Sequence, residues 1–145
     1  MNDAEIRAAL ERHWSVSGQD DPETVHEIYH DDVVVEYPQS GERIILQSLR
    51  QAYPARLTFA LRRISGSGDL WVTEYVITYG EKPVNTVSIM EFRDGKVASE
   101  TLYFADPFEP PAWRAQWVQR MDGGRPVATT EPRRCSMCGL QQRAG

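Results

Sequence analysis

Between Arg56 and Pro107 the hydrophobic period becomes two and stays so through four segments, "RLTFALRRIS", "DLWVTEYVITY", "PVNTVSIMEF" and "KVASETLYFADP". Alternation of this kind predicts strands that bury every second side chain. The connections "GSG", "GEKP" and "RDG" are short and made of turn residues. Turns that tight join antiparallel neighbours, so the second half of the chain is a four-stranded meander.

The first half reads mainly as helix. Ile6, Leu10, His13 and Trp14 share one stripe over residues 3–17, the spacing of an amphipathic helix. Asp21 and Pro22 offer an N-cap and a first helical residue for a second helix, with Val25, Ile28 and Tyr29 on its apolar side. "DDVVVEYP" then predicts a strand, "QSGERI" a turn into a short partner, and "ILQSLRQAYP" a third helix through Ile45, Leu46, Leu49 and Tyr53, stopped by Pro54. A short helix is expected around Trp113 and Trp117. Helices followed by an antiparallel sheet give an α+β fold with the helices on one face of a curved sheet. One domain over residues 1–121 is expected, and the Gly- and Pro-rich stretch from 122 to 145 is expected to be a flexible tail.

Register follows from the turns if the loops are tight. Tyr79 is expected near Val84, Tyr75 near Ser88, Phe92 near Val97 and Ser88 near Thr101. Strict alternation then collects Trp71, Thr73, Tyr75, Ile77, Tyr79, Thr86, Ser88, Met90, Phe92, Val97, Ser99, Thr101 and Tyr103 on one face. The opposite face takes Val72, Val76, Val87, Ile89, Ala98 and Leu102 with three carboxylates, Glu74, Glu91 and Glu100. Acids are rarely buried without a partner, so this second face is expected to be wet surface or a subunit interface. The first face carries aromatics and hydroxyls without acid or base. Such a surface under helices is either plain core or the wall of a small-ligand pocket.

Charge and composition narrow the classes. The 145 residues carry a net charge of −5, against the basic footprint that nucleic-acid binding requires. No apolar run reaches the roughly 20 residues of a membrane span, and the acidic start "MNDAEIRAALERHW" is unlike a signal peptide, so a cytoplasmic location is expected. Cys135 and Cys138 form "CSMC", half of a zinc site or a redox pair by spacing alone. Without further ligands or a thioredoxin-like setting nearby, it reads as an inert tail motif. No phosphate loop or dinucleotide fingerprint occurs, and neither cofactor nor metal is expected.

The order of two helices, "IYHDDVVVEYP", a short hairpin, a helix and four strands ending in "FRDGKVASETLYFADP" resembles the nuclear-transport-factor-2-like superfamily, and within it the SnoaL-like (polyketide cyclase-like) branch. The resemblance spans residues 3–120. It implies a cone, a curved sheet wrapped on helices with a pocket at the wide end, and a homodimer packed through the outer face of the sheet. Ketosteroid isomerases share the fold. Overlaying their catalytic segments puts His13, Tyr37 and Ser88 where their tyrosine, base aspartate and protonated aspartate stand. All three differ, which argues against steroid isomerisation, but the overlay implies that the three face one cavity, with Tyr37 inward and Glu36 outward.

The candidate site follows. His13 is either a satisfied core histidine or the proton-moving group, its ordinary pKa lying near neutrality. Tyr37, Tyr75 and Tyr103 are either wall or donors to a substrate oxygen. Trp14, Trp71, Thr73, Ser88, Met90 and Thr101 are expected to contact the ligand. His26, His30, Asp31 and Asp32 lack the convergence of a metal site. The expected function is cofactor-free isomerisation, cyclisation or hydration of a small apolar molecule. A non-catalytic ligand-binding module and a protein-interaction domain are the alternatives.

Overall fold

The computed structural model describes residues 1–17, 22–52, 57–122 and 125–127. It divides into two compact units, Met1–Pro107 and Phe108–Gly145. In the first unit, α1 (Asp3–Val16) and a short α2 (Pro22–Val25) lead through a 3₁₀ turn (His26–Ile28) into β1 (Tyr29–Tyr37). Next come β2 (Glu42–Ile45), α3 (Leu46–Ala52), β3 (Leu57–Ser67), β4 (Leu70–Tyr79), β5 (Lys82–Arg93) and β6 (Lys96–Ala105). The six strands form one curved, unclosed sheet in the order β2-β1-β6-β5-β4-β3, antiparallel except for the parallel pair β1–β6.

The start of α1 is fixed locally. Asn2 caps it by accepting from the Glu5 backbone N–H at 2.8 Å while its own N–H donates to the Glu5 carboxylate at 2.9 Å, a reciprocal capping box. The predicted stripe is the buried one: Ile6, Leu10, His13 and Trp14 all face the sheet. Asp3 accepts from Gly68 N–H at 2.9 Å and Ser67 hydroxyl at 2.8 Å, and Arg7 donates to the Ile64 carbonyl at 3.0 Å. These three bonds tie the first two turns of the helix to β3 and its turn.

The second helix is shorter than its apolar stripe suggests. Val25, Ile28 and Tyr29 are buried as expected, but helix gives way to 3₁₀ at His26 and Tyr29 opens β1. The Asp21 cap and the Tyr53–Pro54 stop lie outside the described residues, as do the tail beyond Val127 and Cys135 and Cys138.

The turn between β4 and β5 is tighter than assumed. Tyr79 pairs with Lys82, leaving a two-residue Gly80-Glu81 loop, so Ile77 meets Val84 and Thr73 meets Ser88. That is a shift of two residues, which leaves the faces unchanged. At the next turn Arg93 pairs with Lys96, and Asp94 and Gly95 both take positive φ, 53° and 81°. Asp-Gly is the dipeptide that tolerates such a turn.

In β6 the register departs from strict alternation. Phe92 pairs with Val97 as expected, but Glu91 pairs with Ser99, so Ala98 is an extra residue. One extra residue in a strand is a bulge, and it inverts the facing of everything beyond it. Met90 therefore meets Glu100, Ser88 meets Leu102 and Thr86 meets Phe104. Glu100, Leu102 and Phe104 join the helix-covered face, and Ser99, Thr101 and Tyr103 turn outward. Glu74 and Glu91 do lie outside, bonded to Arg63 and Ser99 respectively.

The second unit contains a 3₁₀ turn, Ala112–Arg114, where a short helix through Trp113 and Trp117 was expected, and a hairpin of β7 (Arg120–Asp122) with β8 (Arg125–Val127). The Arg114 guanidinium lies 5.5 Å above the Trp113 ring. Among the described residues no helix is long and apolar enough to cross a membrane.

Candidate functional site

A cavity of about 130 Å³ lies within the first unit, walled by α1, the 3₁₀ turn and the inner face of the sheet. Aromatic rings form much of its wall. Trp14 and Tyr75 stand 4.3 Å apart, Tyr75 and Phe59 5.7 Å apart, and Tyr37 stacks on Phe104 at 6.1 Å. Aliphatic groups from β1, β3, β4, β6 and α3 complete it.

Glu100 is the acid of this cavity. Its residue is only 2% exposed. The Tyr29 hydroxyl donates to Oε1 at 2.5 Å, and the Ser88 hydroxyl donates to Oε2. Burial pushes the carboxyl pKa above the ordinary range, against the opposing pull of the Ser88 and Tyr29 hydrogen bonds. Burial disfavours the charged form, while donors to that form favour it. The same environment, burial first and the Glu100 charge second, raises the Tyr29 hydroxyl well above its usual value, so Tyr29 stays a donor.

His13 lines the cavity at 5% exposure, edge-on to Trp14 at 4.5 Å and to Tyr29 at 5.8 Å. Its Nδ1–H donates to the Val25 carbonyl at 2.9 Å, which leaves the lone pair of the neutral ring on Nε2. Burial lowers its pKa to about 4, with the Val25 bond opposing and His26 adding to the depression. The ring is therefore neutral at physiological pH.

That shift carries a pH prediction. A histidine whose folded pKa lies below its unfolded value of 6.5 takes up protons on unfolding. Its stabilising contribution is whole above pH 6.5 and is lost as pH falls toward about 4, a change on the order of 3 kcal/mol. Glu100 acts with the opposite sign, since its folded pKa is raised. Urea unfolding between pH 7.5 and 4 should show the loss in wild type and a much flatter curve in His13→Gln. Equal slopes in the two proteins would refute the assignment.

The other expected site residues divide three ways. His13, Trp14, Tyr37 and Tyr75 do line the cavity. Trp71, Thr73, Ser88 and Met90 are buried behind its wall. Trp71 donates to the Gly68 carbonyl at 2.9 Å, Thr73 accepts from Trp14 Nε1–H at 3.2 Å, and Ser88 holds Glu100. Thr101 and Tyr103 are corrected outright: the Ala98 bulge turns them to the outer face, where Tyr103 is 42% exposed. Glu36 points outward, bonded to Arg43 at 2.8 Å, as expected. Sequence reasoning missed Glu100, Tyr29, Phe59, Leu102 and Phe104 as wall. A signal was present, because the apolar positions of β6 change parity between Val97 and Leu102. Among the described residues no cluster of three or more His, Cys, Asp or Glu could hold a metal ion.

An open, curved six-stranded sheet over N-terminal helices, with a cavity between them, defines the NTF2-like α+β fold. The SnoaL-like domain family matches residues 9–100, and the chain belongs to that family. An NTF-2 like protein of unknown function from Burkholderia xenovorans LB400 is 53% identical, covering 84% of this chain and 99% of its own, with a TM-score of 0.77. A ketosteroid isomerase candidate from Kribbella flavida DSM 17836 is 25% identical over 88% of this chain and 98% of its own, at a TM-score of 0.73. An LEH-like epoxide hydrolase of M. tuberculosis is also 25% identical, over 70% of this chain and 83% of its own, at a TM-score of 0.55. Among curated proteins none matches the sequence.

Proposed function

We propose that the chain is a cofactor-independent enzyme that moves a proton on a small, largely apolar organic molecule, and that Glu100 is the group that moves it. The observation that carries this reading is a buried carboxyl, lining an aromatic cavity and held by hydroxyls on both oxygens. As a carboxylate Glu100 takes a proton from carbon beside a carbonyl; as the acid it returns that proton to a second carbon, which balances an isomerisation. Elevated proton affinity suits a carboxylate to this exchange near neutral pH. Tyr37 supplies a hydroxyl toward the substrate oxygen from the cavity rim.

His13 is the weaker candidate because its conjugate acid is too strong to hold a proton near neutrality. The positions that match the ketosteroid isomerase machinery hold His13, Tyr37 and Ser88, so a steroid substrate is not part of this reading. The test is deuterium wash-in: small cyclic ketones in D₂O with and without the protein, followed by proton NMR. Exchange above the buffer rate is expected for at least one ketone. Its absence from every ketone seen to bind would leave the pocket as a binding module and end the catalytic reading.

The reading includes a second copy of the chain on the outer face of the sheet. Val34, Val72, Val76, Val87 and Ile89 are only partly covered there, and Tyr103 is exposed. Sedimentation equilibrium should give a dimer, and Val87→Glu should give a monomer that keeps its fold. A monomeric wild type at micromolar concentration would remove this part of the proposal.

A further inference from the structure

The geometry points to a substrate of one ring, uncharged and carrying an oxygen acceptor, and to the exclusion of fused-ring compounds and of ions. This rests on the reading that the cavity beside Glu100 is the site, and it narrows what that site accepts.

Size is the first constraint. An apolar cavity of about 150 Å³ holds one benzene ring. The cavity here is about 130 Å³ and opens to solvent, which matches a single ring with its substituent at the mouth. Enlargement would have to come from the walls. Behind them lie Leu10, Val33, Trp71 and Met90, all essentially without exposure. Close-packed side chains of this kind do not yield a second ring's volume without strain. The sides are held as well, by the Trp14–Tyr75 contact at 4.3 Å and by the Trp14 Nε1–H bond to Thr73 at 3.2 Å.

Charge is the second constraint. Among the described residues lining the cavity there is no Lys or Arg, and Glu100 is the sole carboxylate. An anion would lose its hydration against largely apolar walls and find, among the described lining residues, no Lys or Arg to balance its charge beside Glu100. A cation would have ionised Glu100 as its sole counter-ion among the described lining residues, the form that burial disfavours. A neutral oxygen acceptor suffers neither cost, and the Tyr37 hydroxyl can donate to it.

Polarity along the cavity is the third. Glu100 and Tyr29 are buried, whereas Tyr37 is half-buried and Tyr79 exposed at the rim. Apolar groups such as Ile77 and Leu57 line the cavity alongside these polar ends. The arrangement fits a ring whose reacting carbon lies deep beside Glu100 and whose oxygen reaches the rim tyrosines.

Calorimetric titration of the full chain with four compounds tests this: p-cresol, 4-methylbenzoate, 4-methylbenzylamine and estrone, a four-ring neutral phenol. p-Cresol should bind at least about tenfold tighter than each of the others. Binding should be lost in Leu102→Trp, which fills the cavity, with Phe59→Trp as a second filling variant if the first fails to fold. Equal or tighter binding of estrone or of either ion overturns the inference. So does p-cresol binding that survives both fillings, or no binding by any of the four. Deuterium exchange into a fused-ring ketone by the wild type would sink the one-ring limit while leaving the proton-transfer reading intact, so the two can fail separately.

Discussion

Glu100→Gln should lower the rate of deuterium exchange by about 10²–10⁴-fold, the usual contribution of a positioned acid or base, with little loss of structure. Glutamine has the shape of glutamate. Its carbonyl can still accept from Tyr29, and its NH₂ can meet Ser88 if that hydroxyl turns from donor to acceptor. What disappears is the basic oxygen. Tyr29→Phe gives a distinct result from the same cluster. The Tyr29 bond lowers the Glu100 pKa, so its removal should move the pH dependence of exchange to higher pH while the maximal rate changes less. Together the two variants separate a proton-moving acid from one that merely holds the core. Full exchange in Glu100→Gln would eliminate Glu100 from the chemistry.

The largest loss of stability is expected from Gly66→Ala. Gly66 sits opposite Trp71 in the β3–β4 pair. A methyl there would lie 2.5 Å from the Leu70 carbonyl oxygen, 2.6 Å from Trp71 Cδ2 and 2.7 Å from Trp71 Cα. Two of these atoms are backbone and cannot step aside. The indole cannot retreat either: it is 1% exposed, its Nε1–H is bonded to Gly68, and the Arg7 guanidinium lies 5.4 Å from its ring. Overpacking of this kind costs about 1–3 kcal/mol and occasionally more, and the rigidity of the neighbours places Gly66→Ala at the upper end. Thermal and urea unfolding should both report the loss. An unchanged midpoint would mean that β3 and β4 separate more easily than this contact implies.

Much of the first unit was legible from spacing. The stripe of α1 needed only Ile6, Leu10, His13 and Trp14, because helix burial follows a period that loops do not disturb. The faces of β4 and β5 were legible even though the Gly80-Glu81 turn was two residues tighter than assumed, since an even slip leaves facing unchanged. β6 failed beyond Val97 for the complementary reason. The change of parity between Val97 and Leu102 does not say which residue is extra; Ala98 is small and uncharged, and the pairing of Glu91 with Ser99 identifies it. The candidate acid was thus assigned to the wrong side by a single odd step. Tyr29 was hidden differently: its helical spacing with Val25 was real, but helix ends at that point and the same side chain enters the sheet instead. The half of the site that sequence found comes from α1 and β4, where the stripe and the alternation run unbroken to His13, Trp14 and Tyr75, and from β1, where the family overlay rather than alternation placed Tyr37, beyond the irregularity between Tyr29 and Val34.

That odd step has an evolutionary corollary. Because the bulge absorbs Ala98, a descendant lacking that residue would pair regularly, with Glu91 still opposite Ser99 and Met90 still opposite Glu100. Facing would invert only if Ala98 stayed and the bulge were ironed out, which would present Ser99, Thr101 and Tyr103 to the chamber and surrender Glu100 to the surface. A one-codon deletion here is therefore silent for the acid, whereas a one-codon insertion or deletion between the bulge and the acid, left unabsorbed, would not be.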